Sequence, residues 1–93
     1  TWKCICTLSG YHTRPIYDID WCHKTGFIVT ACGDDIIRIF RESENSDPIA
    51  PTFELVSTKQ DAHSQDINCV KWNPLGNGEL LSCSDDGEIR VWK

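Results

Sequence analysis

Apolar and polar residues alternate along several short stretches of the chain, and turn-forming residues separate these stretches. In the first, Tyr17, Ile19 and Trp21 face one way while Asp18 and Asp20 face the other. An apolar period of two is typical of strands, and a helical spacing persists nowhere. The pattern predicts an all-β fold of antiparallel meanders. Strands are expected at residues 4–8, 17–21, 27–32, 36–40, 52–58 and 88–92.

Two parts of the chain repeat each other. One set of residues recurs 51 positions later, and a following set recurs 52 positions later. The inserted residue falls between Trp72 and Leu80, where Pro74 and Gly76 predict a turn, and structural repeats tolerate insertions in turns. The first set is His12, Ile16, Ile19 and Trp21, matched by His63, Ile67, Val70 and Trp72. The second is Thr30, Asp34, Ile37, Arg38, Ile39 and Phe40, matched by Ser82, Asp86, Ile89, Arg90, Val91 and Trp92.

Each repeat carries a His before its first strand, a Ser or Thr in the second, an Asp in the next turn and an aromatic residue closing the third. This order resembles a blade of a WD40 β-propeller. The resemblance implies a buried hydrogen-bond chain from Trp through the hydroxyl and the His to an Asp that also anchors its turn. The second repeat has the full set in His63, Ser82, Asp86 and Trp92. The first has His12, Thr30 and Asp34 but ends in Phe40, which has no N–H, so its chain should be shorter.

Catalysis and metal binding are the competing functions for these residue types. A His, an acid and a hydroxyl would also suit a hydrolase triad, but a catalytic set occurs once and this one recurs with the repeat, so we expect no enzyme. Six cysteines could bind metal, yet no Cys-x-x-Cys is present and no two cysteines are equivalent in the repeats. We therefore expect reduced, packed thiols without a metal or cofactor, with Cys22 the most exposed.

Composition excludes further classes of partner. The chain has 93 residues, with 9 Lys and Arg against 14 Asp and Glu and a formal charge of -5. Without a basic stripe it is poorly suited to nucleic acid, and no apolar run approaches the roughly 18 residues of a membrane helix. No export signal is visible. The lack of any Met, even at position 1, and a last stretch that stops within a strand-like pattern predict a piece of a longer protein.

Several stretches resemble one group of WD40 proteins, those of cytosolic iron-sulfur assembly. They are WKCICTLSGYH at 2–12, IYDI at 16–19, ACGDD at 31–35, NSDP at 45–48 and AHSQDINCV at 62–70. The resemblance implies about two blades from the C-terminal part of a seven-bladed, non-catalytic propeller. It also implies a subunit of the complex that delivers [4Fe-4S] clusters to cytosolic and nuclear apoproteins. The implied partners are the other subunits and the apoprotein clients, in the cytoplasm and also in the nucleus.

On this division residues 1–8 hold the end of a preceding repeat and its outer strand, 9–58 a first repeat with an acidic loop at 41–51, and 59–93 a second repeat. Blade geometry places candidate docking residues in loops that ring one propeller face. They are Tyr11, Thr13, Arg14, Asp35, Ser64, Gln65, Asp66 and Asp85. The alternative is another WD40 adaptor, such as a ubiquitin-ligase receptor or signalling scaffold, which would share every blade feature and differ only in its partners.

Overall fold

The computed structural model describes all 93 residues, Thr1–Lys93, as an all-β chain with two antiparallel sheets. Sheet A contains β1 to β4 in chain order, and sheet B contains β5 to β7. The strands are β1 Ile16–Trp21, β2 Ile28–Cys32, β3 Ile37–Glu42, β4 Phe53–Lys59, β5 Ile67–Trp72, β6 Leu80–Ser84 and β7 Ile89–Trp92. The predicted strands are confirmed to within two residues, except the one at residues 4–8. The structure has no helix of the length and apolar character needed to cross a bilayer.

The sequence repeat is also a structural repeat. In both sheets the hydroxyl residue of the second strand lies opposite an arginine of the third strand. The pairing of the first two strands shifts register between Ile16 and Asp18 in sheet A, and again between Ile67 and Cys69 in sheet B. These irregularities occupy equivalent positions of the two repeats. The two sheets therefore share details of strand pairing as well as strand order.

The turns between the second and third strands of each sheet match as well. Asp35 and Gly87 occupy equivalent places and both have a positive φ, 67° and 82°. Just before them, Asp34 and Asp86 accept hydrogen bonds from the amides two residues further on, at 3.1 and 2.9 Å. A side chain that bonds its own turn in this way favours the turn conformation. The aspartate of each repeat thus anchors the turn in which it lies.

The hydrophobic core lies between the two sheets, where β5 packs across β1 and β2. Alternate residues of a strand share one face, and β2 and β5 each direct apolar residues toward the other sheet. Loop residues Cys22 and Ala62 complete the buried cluster. Its strand residues are Val29, Ala31 and Ile37 of sheet A with Ile67, Val70, Trp72 and Leu80 of sheet B.

Each sheet also has an open face whose equivalent in the other repeat is buried. Trp21 on the open face of sheet A is 65% exposed, whereas its equivalent Trp72 is 8% exposed in the core. On the open face of sheet B, Ile89 is 75% exposed, while its equivalent Ile37 is 3% exposed. The open face of each sheet therefore has the residue pattern that the other sheet buries.

The alternation predicted along β1 is present, and its polar side is the one that meets sheet B. Asp18 and Asp20 accept hydrogen bonds through Oδ2 from the backbone amides of Val70 and Trp72, at 3.0 and 2.6 Å. Because β5 is an edge strand, these two amides have no strand partner within sheet B. The carboxylates of β1 satisfy them and join the two sheets.

Two expectations are wrong. Residues 4–8 form no strand, because their backbone makes no hydrogen bond to any strand. Cys22 is buried rather than exposed: its amide bonds the Phe27 carbonyl at 2.8 Å to close the β1–β2 turn, and its side chain enters the core. Cys4 is the exposed cysteine, and all six are free thiols.

Candidate docking face

A continuous hydrogen-bond chain crosses sheet B. Trp92 Nε1 donates to Ser82 Oγ at 2.9 Å, Ser82 Oγ lies 2.7 Å from His63 Nε2, and His63 Nδ1 lies 3.0 Å from Asp86 Oδ2. A carboxylate only accepts, so Nδ1 donates to Asp86, and in the neutral imidazole Nε2 then accepts a hydrogen bond from the Ser82 hydroxyl. His63 and Ser82 are each 2% exposed. The four residues assigned to this chain from the sequence are all in contact in the predicted order.

Asp86 links this chain to the loop before β5. It accepts hydrogen bonds from the amides of Glu88 and Ser64, at 2.9 and 3.1 Å, as well as from His63. Burial alone would raise the pKa of the Asp86 carboxyl, but the Glu88 and Ser64 amides and His63 outweigh burial and lower the pKa to about 2. The ionised carboxylate therefore holds both its own turn and the neighbouring loop.

Sheet A contains only part of the equivalent hydrogen-bond chain. His12 Nε2 lies 2.8 Å from Thr30 Oγ1, as the repeat predicts, and Phe40 has no N–H to extend the chain. Asp34, however, is bonded to Arg38 Nη2 at 2.7 Å and not to His12. Burial and the charge of Arg38 lower the His12 pKa, against the opposing influence of Asp34. The hydrogen-bond chain of sheet A is thus broken at both ends, at Phe40 and at Asp34. The sequence predicted only the break at Phe40.

A single sequence difference explains why Asp34 changes partner. In sheet B, Glu88 bonds the equivalent arginine, Arg90, through Nε and Nη2 at 2.9 and 2.6 Å, which leaves Asp86 to the histidine. The residue equivalent to Glu88 in the first repeat is Ile36. Arg38 therefore has no carboxylate two residues before it and bonds Asp34 instead. Comparing the repeats at this position would have predicted the exchange.

The predicted docking residues lie in four segments at one end of both sheets, here called the docking-face loops: the loops before β1 and β5, and the β2–β3 and β6–β7 turns. Tyr11 is half-buried, since its ring packs edge-on against Phe40 with centroids 5.0 Å apart. Asp35 and Asp66 are half-buried too, and Thr13, Arg14, Ser64, Gln65 and Asp85 are exposed.

Direct contacts join the docking-face loops of the two sheets. The Tyr17 hydroxyl of β1 donates to Asp66 Oδ2 at 3.2 Å, and the Ala62 amide in the loop before β5 donates to the Asp35 carbonyl in the β2–β3 turn at 3.0 Å. The hydrogen bond and negative charge of Asp66 raise the Tyr17 pKa. Gly33 keeps this junction close, because a Cβ there would lie 3.3 Å from the Tyr17 ring. No sequence signal marks Tyr17 as a member of this face, since only the packing of the sheets brings it to Asp66.

The description of one protein family fits this arrangement of repeats. A family model described as "WD domain, G-beta repeat" matches residues 2–41 and 53–93, which is nearly the whole chain. The chain belongs to the WD40 family. Each matched segment covers the first three strands of one sheet to within one residue, and the all-β propeller architecture expected from the sequence is confirmed.

Several curated proteins are similar to the chain along its full length. It is 63% identical over 93 residues to "Probable cytosolic iron-sulfur protein assembly protein CIAO1" of Homo sapiens, and 61% identical over 93 residues to the protein of that name from Mus musculus. A Drosophila mojavensis protein named "Probable cytosolic iron-sulfur protein assembly protein Ciao1" is 61% identical over 92 residues. The alignments cover 99 to 100% of this chain and 27 to 28% of each relative, so the chain spans about a quarter of their length.

The WD40 hydrogen-bond chain has the residue types of a hydrolase triad in a geometry that serves structure. The Ser82 hydroxyl is buried and hydrogen-bonded to both His63 and Trp92. His63, Asp86 and Glu88 place ligand atoms within 4.8 Å of one another, a spacing that could suit a metal ion. Each of these groups is already hydrogen-bonded to protein, and no cysteine belongs to the cluster.

Proposed function

We propose that the chain is part of a non-catalytic WD40 scaffold that serves cytosolic iron-sulfur protein assembly by docking other proteins. Identities of 61 to 63% to relatives named for that process support the assignment. The observation that carries the docking role is the distribution of polar groups. The repeated His, Asp and hydroxyl groups of sheet B are engaged with one another in the interior, whereas Thr13, Arg14, Ser64, Gln65 and Asp85 of the docking-face loops are exposed. Exposed loops on a rigid sheet suit recognition of partners.

The finer proposal is that the whole protein is a seven-bladed subunit of the complex that delivers [4Fe-4S] clusters to cytosolic and nuclear apoproteins. Residues 1–8, 9–58 and 59–93 would then be the end of one repeat and two following repeats. The partners would be the other subunits and the apoprotein clients, in the cytoplasm and the nucleus. The formal charge of -5 argues against nucleic acid and anionic membrane as partners.

Affinity capture from cytosol with the full-length protein tests this proposal. Arg14→Glu changes an exposed residue of the docking-face loops, and Lys24→Glu makes the same charge change on an exposed residue at the opposite end of the sheets. The wild type should recover the iron-sulfur targeting subunits, Arg14→Glu should lose them, and Lys24→Glu should retain them. Iron is measured in the same eluates.

Each alternative predicts a different eluate. Ubiquitin-ligase or signalling subunits in place of the targeting subunits would identify another WD40 adaptor. Stoichiometric iron on the purified protein would contradict the interpretation of the six cysteines as inert thiols. Equal loss of partners in Arg14→Glu and Lys24→Glu would move the docking site away from these loops.

A further inference from the structure

The β3–β4 loop, residues 43–52, is separate from the WD40 repeat. The family model leaves residues 42–52 unmatched between its two segments. The loop joins β3 to β4 at the end of sheet A opposite the docking-face loops, because β3 begins at the β2–β3 turn and runs away from it. The β3–β4 loop therefore forms a second surface, separate from the docking-face loops.

The tip of this loop exposes consecutive apolar residues. Pro48, Ile49 and Ala50 are all exposed, Ile49 to 83%, and Pro51 after them is half-buried. Single exposed apolar side chains are ordinary on protein surfaces, whereas a run of three or more is a defect unless it has a function. This run lies outside both segments that match the family model, so it is not part of the repeated strand pattern.

The loop holds this tip in one shape through its own hydrogen bonds. The Ser43 amide donates to the Thr52 carbonyl at 2.8 Å, the Thr52 amide to Ser46 Oγ at 2.9 Å, and the Ile49 amide to Asp47 Oδ1 at 2.9 Å. An apolar anchor ordered before binding loses less conformational entropy when it binds. The tip is therefore prepared for contact with another surface.

The unpaired charges closest to the tip in sequence are all negative. Glu42, Glu44 and Asp47 are exposed and belong to no ion pair, whereas the only cation close to them in sequence, Arg41, is paired with Glu54 at 3.0 Å. An apolar anchor with an acidic surround complements an apolar pocket with a Lys- or Arg-rich rim.

We propose that the β3–β4 loop is a second protein-docking element, whose Pro48–Ala50 tip enters an apolar pocket with a basic rim on a partner protein. The loop and the docking-face loops lie at opposite ends of the sheets, so the two surfaces can hold different partners at the same time. This proposal is independent of the identity of the proteins bound at the docking face.

Site-specific photocrosslinking in cytosol tests the second surface. The full-length protein carries benzoylphenylalanine at position 49, and a matched variant carries it at the exposed position 77 in the β5–β6 loop at the same end. The crosslinked peptide is identified by mass spectrometry. The expected result is one protein crosslinked from position 49 and not from 77, through an apolar site flanked by Lys or Arg.

Two substitutions in the full-length protein complete the test. Ile49→Asp should reduce recovery of that partner by about tenfold, the loss typical of removing one anchor side chain, and Glu44→Lys should reduce the crosslink yield from position 49. Arg14→Glu should leave that yield unchanged. The proposal is overturned if position 49 yields no discrete crosslink, the same products as position 77, or a crosslink to an acidic surface. It is also overturned if Ile49→Asp retains the partner in full.

Discussion

Replacing Asp18 with Asn should destabilise the full-length protein by about 2 kcal/mol at neutral pH. The Asp18 carboxylate accepts hydrogen bonds from the Val70 amide and the Lys71 ammonium, both at 3.0 Å, and its side chain is 22% exposed. Burial alone would raise the pKa of this carboxyl, but these hydrogen bonds outweigh burial and lower the pKa from 3.8 to about 2. A difference of nearly two units between the folded and unfolded pKa corresponds to a free energy of about 2 kcal/mol.

The pH dependence of this contribution has a definite direction. In the folded protein the Asp18 carboxyl stays ionised to about pH 2, whereas in the unfolded chain it takes up a proton near its ordinary pKa of 3.8. The stabilisation is therefore complete at neutral pH and is lost as the pH falls through 3.8 towards 2. Asparagine does not titrate, so the stability difference between wild type and variant should shrink to near zero across this window.

Urea unfolding followed by tryptophan fluorescence, at pH 7 and in steps down to pH 3, measures this difference. The control is Lys71→Ala, which removes only the surface partner. The Lys71 side chain is 55% exposed, so its loss should cost under about 1 kcal/mol. The role given to the Asp18 carboxylate is refuted if Asp18→Asn costs no more than Lys71→Ala, or if its cost is the same at pH 3 as at pH 7.

Three further changes test the hydrogen-bond chains and the folding of the segment. Trp92→Phe should cost less stability than Asp86→Ala. Trp92→Phe only shortens the hydrogen-bond chain, whereas Asp86→Ala leaves His63 and two backbone amides unpaired. Urea melts in which Trp92→Phe is the less stable variant would contradict this. Ile36→Glu should raise the His12 pKa by releasing a carboxylate to the imidazole, and an unchanged NMR titration of that ring would disprove the exchange. The isolated 93-residue chain should be marginally stable or aggregate, and a sharp cooperative melt of a soluble monomer would refute this.

Features that depend on local pattern could be predicted from the sequence. Strand positions follow from an alternation of two residues, and the repeat offset is enough to group His63, Ser82 and Asp86 as one set of contacting residues. The turn aspartates were also predictable, because an Asp at that place bonds its own turn. These features depend on neighbours in the chain or on the equivalent residue of the other repeat.

Features that depend on contact between sheets or on competition between partners were not predicted. The alternation along β1 cannot say that Asp18 caps an amide of β5, because that amide is free only at the edge of sheet B. Asp34 could bond either His12 or Arg38. It bonds Arg38 because position 36 is an isoleucine, which offers that arginine no carboxylate. Residues 4–8 have a strand-like pattern, but a strand also needs hydrogen bonds to a neighbouring strand, and this segment makes none.

The open faces of the two sheets bear on how copies of this segment would associate. The face of sheet A that carries Trp21 and the face of sheet B that carries Ile89 lie on opposite sides of the pair, and each has the residue pattern of a face that is buried between the sheets. Contact between two such different faces is head-to-tail, so each added copy leaves one Trp21 face and one Ile89 face exposed at the ends of the assembly. If the rotation that relates neighbouring copies closes on itself, the assembly is a ring. Otherwise it grows as a filament. The self-association products of the segment should therefore be rings or fibres in place of symmetric dimers.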